Sequence, residues 1–291
     1  MSVKRSRPAG PWTAAAGPCP PPGKRDLRVT IIRRCLFVVL ALLLMVPAPR
    51  GALCADLEDL GVVFLHGKGL WAGAFDGGLT NALHEAGARV LRLEMPWSFD
   101  RIYDATYEQA MREIDTAVAS LRAQGMTQIV VIGHSLGANA AIGYAVSHGP
   151  LAAVVAIAPG HVPEADDMRQ RTHDARIAAA QLIATGQGDV RRSFPDAIQS
   201  ITMAVTATPS AYLSMFDPDG PAVIRKNAAA MPAVPLLWIA GKFDRIAPLG
   251  RDYAFGLAAK HPKSRYVEVL GGHFSAARMA RPTILAWLRS L

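Results

Sequence analysis

Only three cysteines occur in 291 residues, and Cys19, Cys35 and Cys54 all lie in the first 54 positions. The rest of the chain therefore has neither a disulfide framework nor a thiolate nucleophile. It also lacks net charge. Nine of the 31 basic residues and one of the 23 acidic ones fall in residues 1–50, so the formal +8 belongs to that segment and residues 51–291 carry 22 charges of each sign. Without a basic excess, nucleic acid is excluded as an expected partner of the folded part. The apolar run Cys35–Val46 has 12 residues, about 18 Å as a helix against a bilayer core of about 30 Å. The histidines show no H-x-x-x-H and no paired carboxylate spacing, so no metal is expected.

What the first 55 residues do contain is the order of an export signal. Arg33 and Arg34 precede the apolar run, and Pro47 and small residues lead to Ala55. This n-region, h-region and cleavage-region sequence predicts a signal peptide cut near Cys54 or Ala55, with a periplasmic or secreted product that meets the membrane only during export. Cys54 is where a lipid anchor would attach, but Leu53 before it is not the small residue such a signal uses. About 236 residues remain after Ala55, enough for one domain with a sizeable core.

Across residues 56–291 short β-branched runs alternate with helix-like stretches, the pattern of an α/β fold with a mostly parallel sheet covered on both faces. Strands are predicted at Gly61–Leu65, Arg89–Leu93, Gln128–Gly133, Ala152–Ile157, Pro235–Ala240 and Arg265–Leu270. Helices are predicted at Leu79–Glu85, Thr106–Gln124, Leu136–Ser147, Arg251–Lys260 and Ser275–Arg289. From Gly160 to Ala233 the rhythm breaks, with helical pieces at Ala165–Thr185 and Pro209–Met215 and no convincing central strand. So long an excursion predicts a helical cap over the site.

Gly133-His134-Ser135-Leu136-Gly137 lies between a buried-strand signal and an Ala-rich helix signal. That context makes it a nucleophile elbow, in which a tight turn lifts the Ser135 hydroxyl off the sheet edge. A serine hydroxyl needs a base, and the base needs an orienting acid. Asp244 follows the strand at 235–240, and His273 follows the strand at 265–270. Asp217 and Asp219 are the alternative acids, but Asp217-Pro218-Asp219-Gly220 reads as an ordinary turn.

The order Ser135, Asp244, His273, together with Leu65-His66-Gly67, Gly241-Lys242-Phe243-Asp244 and Gly272-His273, resembles the α/β-hydrolase superfamily from about Leu60 to the C-terminus. The resemblance implies an α/β-hydrolase fold of about six strands, without the antiparallel hairpin that commonly precedes the first His-Gly strand. It implies that Ser135 attacks a carbonyl, His273 carries the proton and Asp244 orients the imidazole. Oxyanion donors would be the Leu136 amide and, from the turn after the first strand, the Lys68 amide or next the Gly69 amide. Trp71, Trp97, Tyr212 and Phe216 are candidates to line the substrate pocket, whereas His66, His134 and His161 read as structural.

The expected activity is a serine hydrolase of esterase or lipase type, without cofactor, acting on a small carboxylic ester, thioester or other acyl substrate. The same triad also supports a peptidase or amidase. A non-catalytic binding protein of the same fold is the third reading.

Overall fold

In a computed structural model, residues 57–198 and 201–291 are described, and the expected leader and its cleavage site lie outside them. The apolar runs form six parallel strands: β1 Leu60–Leu65, β2 Arg89–Leu93, β3 Gln128–His134, β4 Ala153–Ile157, β7 Leu236–Gly241 and β8 Arg265–Val269. Their order is β2-β1-β3-β4-β7-β8. The chain steps outward from β1 to β2 and returns to place β3 on the other side of β1. Such a reversal opens a crevice beyond the carboxyl ends of the two strands, and there ligands bind in open α/β sheets.

Alternate side chains of each central strand feed two cores, since successive residues of a strand face opposite ways. Val62, Phe64, Val130, Ile132, Val155 and Ile239 pack beneath the helices Leu79–Glu85 and Ala276–Leu288. Val63, Leu65, Val131, Val154 and Trp238 pack beneath Tyr107–Ala123 and Leu136–Ser147. Burying each large aliphatic contributes about 1.5–3 kcal/mol, and this two-sided burial explains why the strands read as continuous apolar runs. The helix Tyr107–Ala123 begins at a capping box, in which the Thr106 side chain accepts from the Gln109 N–H and the Gln109 side chain accepts from the Thr106 N–H.

Between β4 and β7 the chain leaves the sheet. The segment expected to be helical carries helices Asp166–Arg171, His173–Ala184, Pro209–Phe216 and Ile224–Ala230. It also holds an antiparallel hairpin, β5 Arg192–Ile198 and β6 Ile201–Ala207, which the sequence reading did not contain. The single helix expected over 165–185 is broken at Thr172, whose hydroxyl donates to Met168 O at 2.8 Å. The helix expected at 251–260 is instead a series of short 3-10 turns, following Gly250 at φ 72°. Among the described residues no helix is long and apolar enough to cross a membrane.

Candidate active site

Between the end of β3 and the helix Leu136–Ser147 stands one residue, Ser135, at φ 57° and ψ −119°. A non-glycine residue at positive φ is held there by its surroundings. Two glycines permit the geometry: a Cβ on Gly133 would lie 2.0 Å from Gly137 O, and one on Gly137 would lie 2.3 Å from Leu65 O. The Ser135 N–H donates to Ile157 O at 3.0 Å, while its carbonyl accepts from Gly160 N–H at 3.1 Å and Ala138 N–H at 3.0 Å. Ser135 is thus tied to β4 as well as to its own helix.

The turns after β7 and β8 bring the other two groups in. His273 Nε2 is 2.9 Å from Ser135 Oγ, and His273 Nδ1 is 2.7 Å from Asp244 Oδ2. The second Asp244 oxygen accepts from Ile246 N–H at 3.3 Å, and the carboxylate is buried. A buried acceptor at Nδ1 fixes the imidazole with its Nδ1 proton toward Asp244, leaving Nε2 as a base facing the hydroxyl. Asp217 and Asp219 instead form the expected turn, Asp219 N–H donating to Asp217 Oδ1.

Three further histidines frame this row. His134 Nε2–H donates to the His273 carbonyl at 2.9 Å, and burial, followed by the neighbouring His273, brings its pKa down to about 4. His66 accepts from Met95 N–H at Nε2 and donates from Nδ1 to Gly67 O, with burial lowering its pKa. His161 donates to Met215 O at 2.6 Å, and burial and then Lys68 push its pKa well below the usual value. In all three, burial favours the neutral ring, and each holds a main-chain group in place.

Two main-chain donors near Ser135 are unpartnered among the described residues, one on Lys68 in the cleft lining and one on Leu136, directly after Ser135 at the first position of its helix. The Gly69 amide does not qualify, because it donates to Trp97 O at 2.8 Å. A helix N-terminus adds favourable field for an anion. The cleft has a volume of about 400 Å³, within the range of small-molecule sites. Gly67, Lys68, Ser135 and His273 form its floor, and Val162, Met168, Ile246 and Phe274 contribute apolar walls.

The four aromatic candidates do not line it. Trp97 is buried with its Nε1–H donating to His66 O at 2.9 Å, so it braces the turn after β1 from behind. Tyr212 and Phe216 are fully buried, stacked on each other at 4.4 Å between centroids. Trp71 is exposed and lies outside the cleft lining. The walls missed in the sequence had a local signal in part, because Phe274 adjoins His273 and Ile246 lies two residues after Asp244. Among the described residues no group of three His, Cys, Asp or Glu side chains is arranged to hold a metal ion.

Similar architecture occurs in solved structures. The monoacylglycerol lipase of Paleococcus ferrophilus is 23% identical with a TM-score of 0.60, covering 80% of this chain and 95% of its own. A thermophilic esterase from Thermogutta terrifontis is 19% identical with a TM-score of 0.51, covering 79% and 90%. The proline iminopeptidase of Mycobacterium smegmatis is 17% identical with a TM-score of 0.51, covering 80% and 90%. These likenesses show the fold, and among curated proteins nothing matches significantly. Residues 62–284 match the family described as "Alpha/beta hydrolase family". With most of its length inside that match, the chain belongs to the alpha/beta hydrolase family.

Proposed function

We propose that the protein is a serine hydrolase of carboxylic esters, working through an acyl-enzyme. The observation that carries this reading is the unbroken row from Ser135 Oγ through His273 to Asp244, at 2.9 and 2.7 Å. His273 Nε2 takes the Ser135 proton as Oγ bonds to the substrate carbonyl carbon. The carbonyl oxygen becomes an oxyanion facing the Lys68 and Leu136 amides, and Asp244 stabilises the imidazolium. Collapse of the tetrahedral intermediate breaks the ester C–O bond, and the alcohol leaves with the proton from His273. Water then repeats the sequence on the acyl-enzyme, releasing the carboxylic acid and restoring Ser135.

An ester is favoured over a peptide with a free amino terminus. Among the described residues Asp167 is the carboxylate in the cleft lining beside Ser135, and it is paired with Arg171 at 2.5 Å, so none there stands unpaired to receive a substrate amine. Site-specific labelling by a fluorophosphonate separates an enzyme from a binding protein. Turnover of p-nitrophenyl esters beside aminoacyl-nitroanilides separates esterase from peptidase: the reading expects ester turnover, and faster anilide cleavage overturns it. We extend the proposal to an exported, periplasmic or secreted enzyme, on the strength of residues 33–55.

A further inference from the structure

Lys68 lines the cleft and its main-chain N–H is unpartnered among the described residues, yet its side chain is buried under the cap, with 7% of its surface exposed. Its ammonium donates to Asp196 Oδ1 at 2.6 Å and to Ala197 O at 3.2 Å, and lies 4.9 Å from the Phe216 ring centroid. The other Asp196 oxygen accepts from the Tyr103 hydroxyl at 2.8 Å. Asp196 belongs to β5 of the cap hairpin, and Tyr103 sits in the loop after β2 at φ 53°. Three segments distant in sequence therefore converge on one carboxylate.

A buried ion pair seldom adds net stability over an apolar replacement, so its presence asks for a positional reason. The turn that carries the Lys68 amide is held behind by Gly69 N–H to Trp97 O and by His66. On the cap side the Lys68 side chain is its tether. Burial lowers the Lys68 pKa, and the adjacent Asp196 opposes that and favours the ammonium.

We propose that Asp196, assisted by Tyr103, is a positioning residue: by anchoring the Lys68 side chain from the cap hairpin, it sets the Lys68 N–H where the oxyanion forms. The cap thereby contributes to the chemical step as well as to substrate selection. The inference rests on the Ser135 reading above.

The test is steady-state kinetics on p-nitrophenyl acetate, whose two-carbon acyl group makes little use of the cap walls. Asp196→Asn lowers kcat about ten- to a hundredfold with KM changed less than about twofold, the scale of a displaced oxyanion donor. Tyr103→Phe lowers kcat about threefold through one lost hydrogen bond. Lys68→Met combined with Asp196→Asn is no slower than the worse single variant, since both act through one contact. If Asp196→Asn has the wild-type circular dichroism and kcat, and only its melting temperature falls, the pair merely braces the cap and the proposal is overturned. Should Asp196→Asn fail to fold, Tyr103→Phe decides alone, and an unchanged kcat there overturns it. Failure of wild-type Ser135 to react with a fluorophosphonate is a separate outcome, which removes the serine-hydrolase reading itself.

Discussion

Removing one oxygen atom probes the site at its smallest. Ser135→Ala leaves the elbow packing in place but deletes the atom that faces His273 at 2.9 Å. The expected loss of kcat is about a million-fold, and Asp244→Asn combined with His273→Ala adds little to either alone, because the three groups act as a unit. Purified Ser135→Ala that hydrolyses esters within tenfold of wild type would end the nucleophile assignment. A second residue, His134, contributes to acid sensitivity in the same direction as the buried His66 and His161. Its folded pKa, about 4, lies below the ordinary 6.5, so between those values the unfolded chain binds a proton that the native chain does not. Its contribution is complete above pH 6.5 and is lost as pH falls toward 4, about 3 kcal/mol in all. Urea midpoints at pH 7 and pH 4.5 check this: the wild type weakens more than His134→Gln over that interval. An equal drop in both would remove His134 as a cause.

At the scale of elements, the cap divides into residues that touch the cleft and residues that hold the cap together. Met168 lines the cleft from a half-buried position, whereas Phe216 is fully buried. Met168→Ala therefore shifts preference along a series of p-nitrophenyl acyl lengths by about 1–3 kcal/mol per methylene affected. Phe216→Ala costs about 3–5 kcal/mol of stability, read by thermal melting. The reverse assignment of the two effects would contradict the packing. Sequence could not separate these roles, since Tyr212 and Phe216 at i and i+4 mark one helix face without saying what it meets. The four central strands were legible because burial on both faces makes each a near-continuous apolar run, and the edge strands β2 and β8 because apolar residues alternate or pair with charged ones over five residues. The hairpin was not read: Pro195 interrupts β5, and although Ile201, Met203 and Val205 alternate with Thr202, Ala204 and Thr206 in β6, most of that strand is exposed and it is no central-strand run. The 251–260 stretch was expected to be helical, but Gly250 at φ 72° and Gly256 favour short turns there. Ser135, Asp244 and His273 were readable because each follows a strong strand signal. Asp196 and Tyr103 carried no motif, and only the folded cap brings them to Lys68.

For the whole molecule, the export proposal makes a prediction about charge. The whole formal excess of +8 resides in residues 1–50, so the proposed exported form starting close to Asp56 would carry a net charge near zero. Intact mass of a periplasmic fraction checks this, and a chain retaining residues 35–50, or a lipid on Cys54, contradicts it. The parallel sheet places Ser135 after β3, Asp244 after β7 and His273 after β8 at one edge, and the central proposal is covalent catalysis at Ser135 on that edge. The most direct measurement is peptide-mapped mass spectrometry of the native protein after reaction with a fluorophosphonate, run beside His273→Ala. The account predicts one adduct, on Ser135, formed rapidly in the wild type and at least about a hundredfold more slowly without its general base. An unmodified protein, an adduct on another residue, or equal rates in the two proteins would contradict it.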